Sequence, residues 1–228
     1  MQTLAQISFF KDIADIEFER FDRRCAWKRY EDGEVIVDFE DPSSDVYFII
    51  TGEVRVLIRT AAGKEIILNE LRNGEFFGEY AAIDGIKRSA NVTALTKADL
   101  CIMPATVFRE IVFANTAAEK VMKRLVGRVR ELNARLAEHS IFDLKHRLYS
   151  ELLRLSQPRP GHPGQRAVSP PPFHHVLAAR IGCRREQVTR ELSMMSTEQI
   201  VEKTRGALVI RKPEVIEMRL QAALQEEG

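Results

Sequence analysis

At Pro104 the chain passes from strand-like to helical periodicity, and that change limits the folds open to it. From Gly33 to Pro104 run short β-rich segments: "EVIVDFE", "DVYFIITGEVRVLIRT", "KEIILNEL", "SANVTAL" and "ADLCIMP". The turn signals "EDG", "EDPSSD", "AAG" and "RNG" punctuate them at roughly regular spacing. Such a rhythm predicts a small antiparallel sandwich or barrel, not alternating βαβ units. Ahead of it, residues 4 to 30 mix apolar and charged positions at helical spacing. One or two short helices are expected in "LAQISFFKDIADIEFERFDRRC", with Asp15 capping the second.

Beyond Pro104 the pattern is helical. Ala118, Met122, Leu125, Val129, Leu132 and Leu136 recur at spacings of 4, 3, 4, 3 and 4. Such a seam can lie on its own domain's core or zip against a second copy. The strict repeat, flanked by Arg, Lys and Glu, favours a coiled-coil homodimer through Ala118–Leu136. A further helix is expected in "FDLKHRLYSELLRLS". The Pro- and Gly-rich stretch Gln157–Pro172 then reads as a loop, with a short extended piece at "RAV". Two helices follow, separated by a tight turn at Gly182. Two strands around Gly206 form a small wing, and Pro213 opens a last helix.

Helix, glycine turn, helix and wing, with a cationic second helix, is the pattern of a winged helix-turn-helix. Arg184, Arg185, Glu186, Thr189 and Arg190 cluster near the start of that second helix. Arg can pair both major-groove acceptors of guanine, and Glu can accept from cytosine N4, so these five are the candidate DNA-binding residues. Leu177, Ala178, Ile181, Val188 and Leu192 would hold the two helices together. His174 and His175 read as a surface pair, Cys183 as a small buried residue, and Met194 and Met195 as packing positions.

Composition narrows the alternatives. The 228 residues suffice for two modest domains. The net charge of +1 divides unevenly: from Ile141 onward the chain carries +4, and before it −3. A mildly basic C-terminal part suits a polyanion partner. No run of about 18 apolar residues exists, so no membrane span is expected. The first residues place acids among the apolar positions, unlike a signal peptide, and a cytoplasmic location is expected. Cys25, Cys101 and Cys183 are dispersed, which argues against a disulfide framework or an iron–sulfur cluster. No phosphate-loop, zinc-protease, serine-hydrolase or EF-hand pattern is present, so nothing requires an enzyme or a metal.

One stretch remains, "EFFGEYAAIDGIKRSANV". A short helix starting at Gly78–Glu79 would point free N–H groups at an anion. Arg88 offers a cationic fork and Ser89 a hydroxyl. Glu79 beside an anion makes sense if it accepts from a neutral sugar hydroxyl, which suggests a sugar phosphate. On charge content alone a surface Glu79–Arg88 ion pair is equally compatible.

Along nearly its whole length the sequence resembles the cAMP receptor protein and FNR family of bacterial transcription regulators. The likeness rests on "EDGEVIV", "DVYFIITGEVRV", "FGEYAAIDGIKRSA", the heptad helix and "IGCRREQVTREL". It implies an α+β chain: a cyclic-nucleotide-binding β-roll in residues 1–115, a dimerisation helix in 116–140 and a winged helix-turn-helix in 141–228. It also implies a ligand site of Gly78, Glu79, Tyr80, Ala81, Arg88, Ser89 and Ala90. In this resemblance Glu79 holds the ribose 2′-hydroxyl, while Arg88, Ser89 and the Ala90 amide hold the cyclic phosphate. The implied effector is cAMP; the alternative is a same-family regulator with another effector, cGMP, or one that acts without a ligand. No haem is expected, because all five histidines lie beyond the β-roll. Where the family's best-known member reads adenine with a Thr-Ser pair, this chain has Leu132 and Asn133, leaving Asn133 to touch the base. Arg185, Glu186 and Arg190 match the family's base-reading positions, implying palindromic TGTGA-like half-sites and an RNA polymerase partner.

Overall fold

The structure is a computed structural model that describes every residue except Met1, Asp12, Ala14, Asp15, Ala61, Ala62, Asn115, Thr116, Glu227 and Gly228. The chain divides into two compact units, Met1–Arg128 and Val129–Gly228, and the division falls within one long helix.

The first unit holds two four-stranded antiparallel sheets. One has the order β1 (Ala26–Tyr30), β8 (Ala98–Met103), β3 (Val46–Thr51) and β6 (Phe76–Phe77). The other has the order β2 (Val35–Val37), β7 (Asn91–Ala94), β4 (Glu53–Arg59) and β5 (Glu65–Arg72). The expected antiparallel architecture is therefore present, with differences of detail. "DVYFIITGEVRVLIRT" is two strands broken at Gly52, one in each sheet.

β3 explains the layering. Val46 and Phe48 enter one core while Tyr47 and Ile49 enter another, because successive strand side chains point to opposite faces. β6 divides in the same way, Phe76 to one core and Phe77 to the other. The core holding Tyr47 and Ile49 draws on strands of both sheets. The core holding Phe48 is covered by α3 (Ala105–Ala114), the start of α4 (Ala117–Ile141) and the N-terminal segment. Phe9, Phe10, Phe76 and Phe108 surround the Phe48 ring at centroid distances of 5.2 to 6.5 Å.

The N-terminal expectation needs correction. Residues 4–6 and 8–10 are single 3₁₀ turns, and only α1 (Phe18–Asp22) is α-helical; Asp15 lies outside the described residues. Residues 26–30, read as helical, form β1 on the edge of a sheet. Pairing with β8 overrides a local pattern too short to favour either form. On α4, Ala118 and Leu125 pack against the unit's own core, whereas Met122, Val129, Leu132 and Leu136 are exposed. Val126 joins this exposed stripe, so the apolar seam and the core-facing side are adjacent faces of one helix.

The second unit contains the rest of α4, then α5 (Leu144–Leu155), capped by the Asp143 carboxylate on the His146 N–H at 3.0 Å. The Pro-rich stretch is not a plain loop. β9 (Gln157–Pro158) and β10 (Arg166–Val168) pair as a hairpin and extend the sheet of the wing strands β11 (Val201–Lys203) and β12 (Leu208–Ile210). Arg159 closes its tip by donating to the Gln165 side chain at 2.8 Å. α6 (His174–Ile181) and α7 (Arg185–Thr197) flank Gly182, whose φ of 73° is the left-handed conformation the turn needs. Leu177, Ala178, Ile181, Val188 and Leu192 are all buried in one core, as the pattern predicts. Cys183 is half-buried at the edge of that core, and Met194 is exposed; of the two methionines only Met195 is core, since one step along a helix turns a side chain to another face. α8 (Pro213–Glu226) closes the chain.

Phe48 is fully buried and central to the aromatic cluster. Phe48→Ala is expected to cost about 3–5 kcal/mol in the first unit's unfolding, measured by urea denaturation.

Candidate functional site

The stretch from Phe76 to Asn91 lays its groups out in order. β6 delivers Phe77 onto Tyr47, the rings stacking at 4.9 Å. Gly78 then turns the chain with φ 89° into α2 (Glu79–Asp84). A Cβ at Gly78 would lie 2.6 Å from the Asp45 carbonyl oxygen and 2.7 Å from an Arg88 nitrogen. Only glycine fits both the conformation and the space.

Arg88 is 5% exposed, and its guanidinium donates to three neutral oxygens. These are the Ser43 hydroxyl at 3.1 Å, the Gly78 carbonyl at 3.1 Å and the Asp45 carbonyl at 2.8 Å. Among the described residues no carboxylate forms an ion pair with it. The surface Glu79–Arg88 pair is therefore not formed: both groups are buried, and each is without an opposite charge in contact. Burial is the main cause that raises the Glu79 carboxyl pKa, opposed by a hydrogen bond from its own N–H and by the fields of Arg124, Arg128 and Arg88. Ser89 is exposed beside Arg88, Ala90 and Ala81 are buried, and Tyr80 is exposed on α2.

A buried guanidinium bonded only to neutral acceptors favours an anion, and a buried carboxylate lacking a cationic partner favours a hydroxyl donor. A ligand carrying phosphate and hydroxyl together fits both residues, and this electrostatic arrangement is where a cyclic nucleotide can be held. Asn133, the proposed base reader, is exposed on α4.

Arg124 and Arg128 were not singled out in the sequence. Arg124 sits 4.3 Å over the Phe76 ring and donates to the Phe76 carbonyl at 2.7 Å. Arg128 donates to the Leu68 carbonyl at 2.9 Å and hydrogen-bonds Tyr80. Lys120, one turn earlier, bonds the Phe9 carbonyl at 3.1 Å. The spacing of four among Lys120, Arg124 and Arg128 was the available signal.

In the second unit Arg184, Arg185, Glu186, Thr189 and Arg190 are all exposed, while Val188, Glu191, Leu192 and Met195 face inward. The Arg184 N–H caps α7 on the Gln187 side chain at 3.0 Å. Thr189 is less free than the sequence suggests: its hydroxyl lies 2.7 Å from His174 Nδ1 and 3.1 Å from the Arg185 carbonyl. Burial, then Lys203 and Arg185, lowers the His174 pKa, so the imidazole is neutral at pH 7 and can share this hydrogen bond.

Two families match the chain: the cyclic nucleotide-binding domain over residues 27–115 and the Crp-like helix-turn-helix domain over residues 146–219. The cAMP-activated global transcriptional regulator CRP of Salmonella typhimurium is 25% identical over 195 residues, spanning 84% of this chain and 92% of its own. The cyclic AMP receptor protein of Thermus thermophilus is 29% identical over 211 residues, spanning 89% and 90%. A solved Crp/Fnr-family regulator from Eubacterium rectale superposes with a TM-score of 0.72 at 18% identity, covering 95% of this chain and 99% of that one. The chain belongs to the Crp/Fnr family. It is a cyclic-nucleotide-binding, DNA-binding transcription regulator, and not an enzyme.

Within a Crp/Fnr regulator the burial of Glu79 has a stability consequence. Its folded-state pKa is raised, so its favourable contribution is complete below the ordinary value of 4.5 and is lost as pH rises through the folded value. Glu79→Gln removes the buried charge. The ligand-free variant is expected to melt above the wild type at pH 7, with the difference vanishing toward pH 4; differential scanning calorimetry across that range checks it.

Proposed function

We propose that this regulator is a homodimer whose DNA binding responds to cAMP. The observation that carries the reading is the pair of buried, opposite and mutually unpaired charges, Arg88 and Glu79. The guanidinium and the exposed Ser89 hydroxyl suit the cyclic phosphate, with the Ala90 amide as a further donor. Gly78 admits the backbone close to the ligand, Tyr80 and Ala81 belong to the same short helix, and Glu79 accepts the ribose hydroxyl. Asn133 takes the base, whose amide can serve adenine or guanine, and cGMP is the competing effector.

In this reading residues 1–115 bind the nucleotide, 116–140 dimerise and 141–228 bind DNA. The exposed stripe of Met122, Val126, Val129, Leu132 and Leu136 supports a partner helix. An effector gates such a dimer only by binding the DNA-competent arrangement more tightly than the other. Two recognition helices one helical turn apart, about 34 Å, would meet palindromic TGTGA-like half-sites in the cytoplasm, where RNA polymerase is the natural further partner.

Calorimetric titration of the purified protein with cAMP and cGMP tests the reading. Saturable heat with cAMP, lost in Arg88→Ala, is the expected result; no heat with either nucleotide up to millimolar concentrations would refute it. On DNA, Arg185→Ala is expected to relax the preference for one guanine at a cost of about 1–3 kcal/mol. Unchanged preference in a selection from randomised half-sites would remove Arg185 from base reading.

A further inference from the structure

At the C-terminal end of α4, side chains from α4, α5 and α6 surround a cleft of about 280 Å³, open to solvent. Its charges are unequally matched. Glu151 is buried and accepts from Arg154 and, at 3.2 Å, from Arg180. Arg154 also grips both oxygens of Glu138, at 2.6 and 2.8 Å. Two carboxylates and two guanidiniums thus neutralise one another. Arg135 has Glu131 at 3.2 Å.

Arg147 is the exception. Its NH1 lies 2.7 Å from His139 Nδ1, and among the described residues it has no carboxylate partner. Its Nε is buried without a hydrogen-bond acceptor, and so is the Nε of Arg135. His139 cannot supply the missing negative charge. Nδ1 must be unprotonated to accept from Arg147, which leaves the ring neutral, and burial followed by Arg147 lowers its pKa against the opposing pull of Glu138. A half-buried cation facing a neutral ring carries an uncompensated desolvation cost, and two unsatisfied buried N–H groups add to it.

A bridging water would satisfy an N–H but would bring no charge. An oxyanion supplies the charge and several acceptors at once, and the planar guanidinium fork matches phosphate oxygens better than a spherical halide. The geometry points to an anion site for a phosphate group, as the free ion or a monoester, held by Arg147 and Arg135 between α4, α5 and α6. The Glu138–Arg154 and Glu151–Arg180 pairs form its walls. This site is separate from the Arg88 pocket in residues and requires no cyclic nucleotide.

The test is calorimetric titration of the full-length Arg88→Gln protein with inorganic phosphate and, separately, glycerol 3-phosphate, at fixed ionic strength in chloride. The Arg88 substitution removes the other buried unpaired guanidinium. One saturable site per chain is expected, weakened about tenfold or more by adding Arg147→Gln. Heat with phosphate alone assigns the free ion, and heat with the ester assigns a monoester. No saturable heat at millimolar concentrations of either, or heat indifferent to Arg147→Gln, overturns the proposal. If Arg147→Gln does not fold, arginine Nε–H NMR of the Arg88→Gln protein decides. Phosphate is expected to shift the Arg147 and Arg135 resonances, and their failure to move would overturn the site.

Discussion

β3 has no solvent face, and the first unit is arranged around that fact. A strand whose alternate residues enter two different cores must be covered on one side by a second sheet and on the other by helices. Both coverings follow from its composition: Val46, Phe48, Tyr47 and Ile49 leave no polar face to expose. β6 is only two residues long, yet it obeys the same division. Phe76 and Phe77 fix the end of the strand, and Gly78 therefore leaves the sheet at a set place. The short helix α2 begins there because the layer below it ends there.

Burial sets the same stretch apart from an ordinary surface loop. An exposed Glu and Arg ten residues apart would be an ordinary ion pair of small energetic value. Here Arg88 is anchored to the carbonyls of Gly78 and Asp45, which spend its directional donors on position and leave its charge unanswered. Glu79 is buried under the fields of three arginines without contacting Arg88 as an ion pair. The second unit solves its own burial differently, matching Glu151 and Glu138 against Arg154 and Arg180 and leaving Arg147 with a neutral imidazole.

Much of this was legible in the sequence because the signals were redundant. Period-2 runs between turn residues, a glycine at each forced turn and an apolar face at helical spacing each marked the same elements. Gly78, Arg88 and the recognition helix stood out because their chemistry is unusual for their surroundings. Other features lacked a local signal. β1 is a strand because β8 offers it an edge, not because "AWKRY" favours one. The β9–β10 hairpin exists because β12 extends a sheet toward it, against a composition that reads as loop. The absence of a Glu79–Arg88 pair depends on where one distant segment, residues 43–45, meets the guanidinium. That meeting is tertiary, and no spacing encodes it.

Lys120, Arg124 and Arg128 deserve a mechanical reading. Their acceptors are the carbonyls of Phe9, Phe76 and Leu68, on three separate pieces of the first unit, and the donors lie on one line along the helix. Carbonyls do not titrate, so no change of pH near neutrality loosens the attachment by stages. Rolling the helix about its axis would carry all three donors off the line together. The start of α4 thus behaves like a key with three teeth in one lock, seated or unseated as a whole, and one of those teeth rests two residues before Gly78.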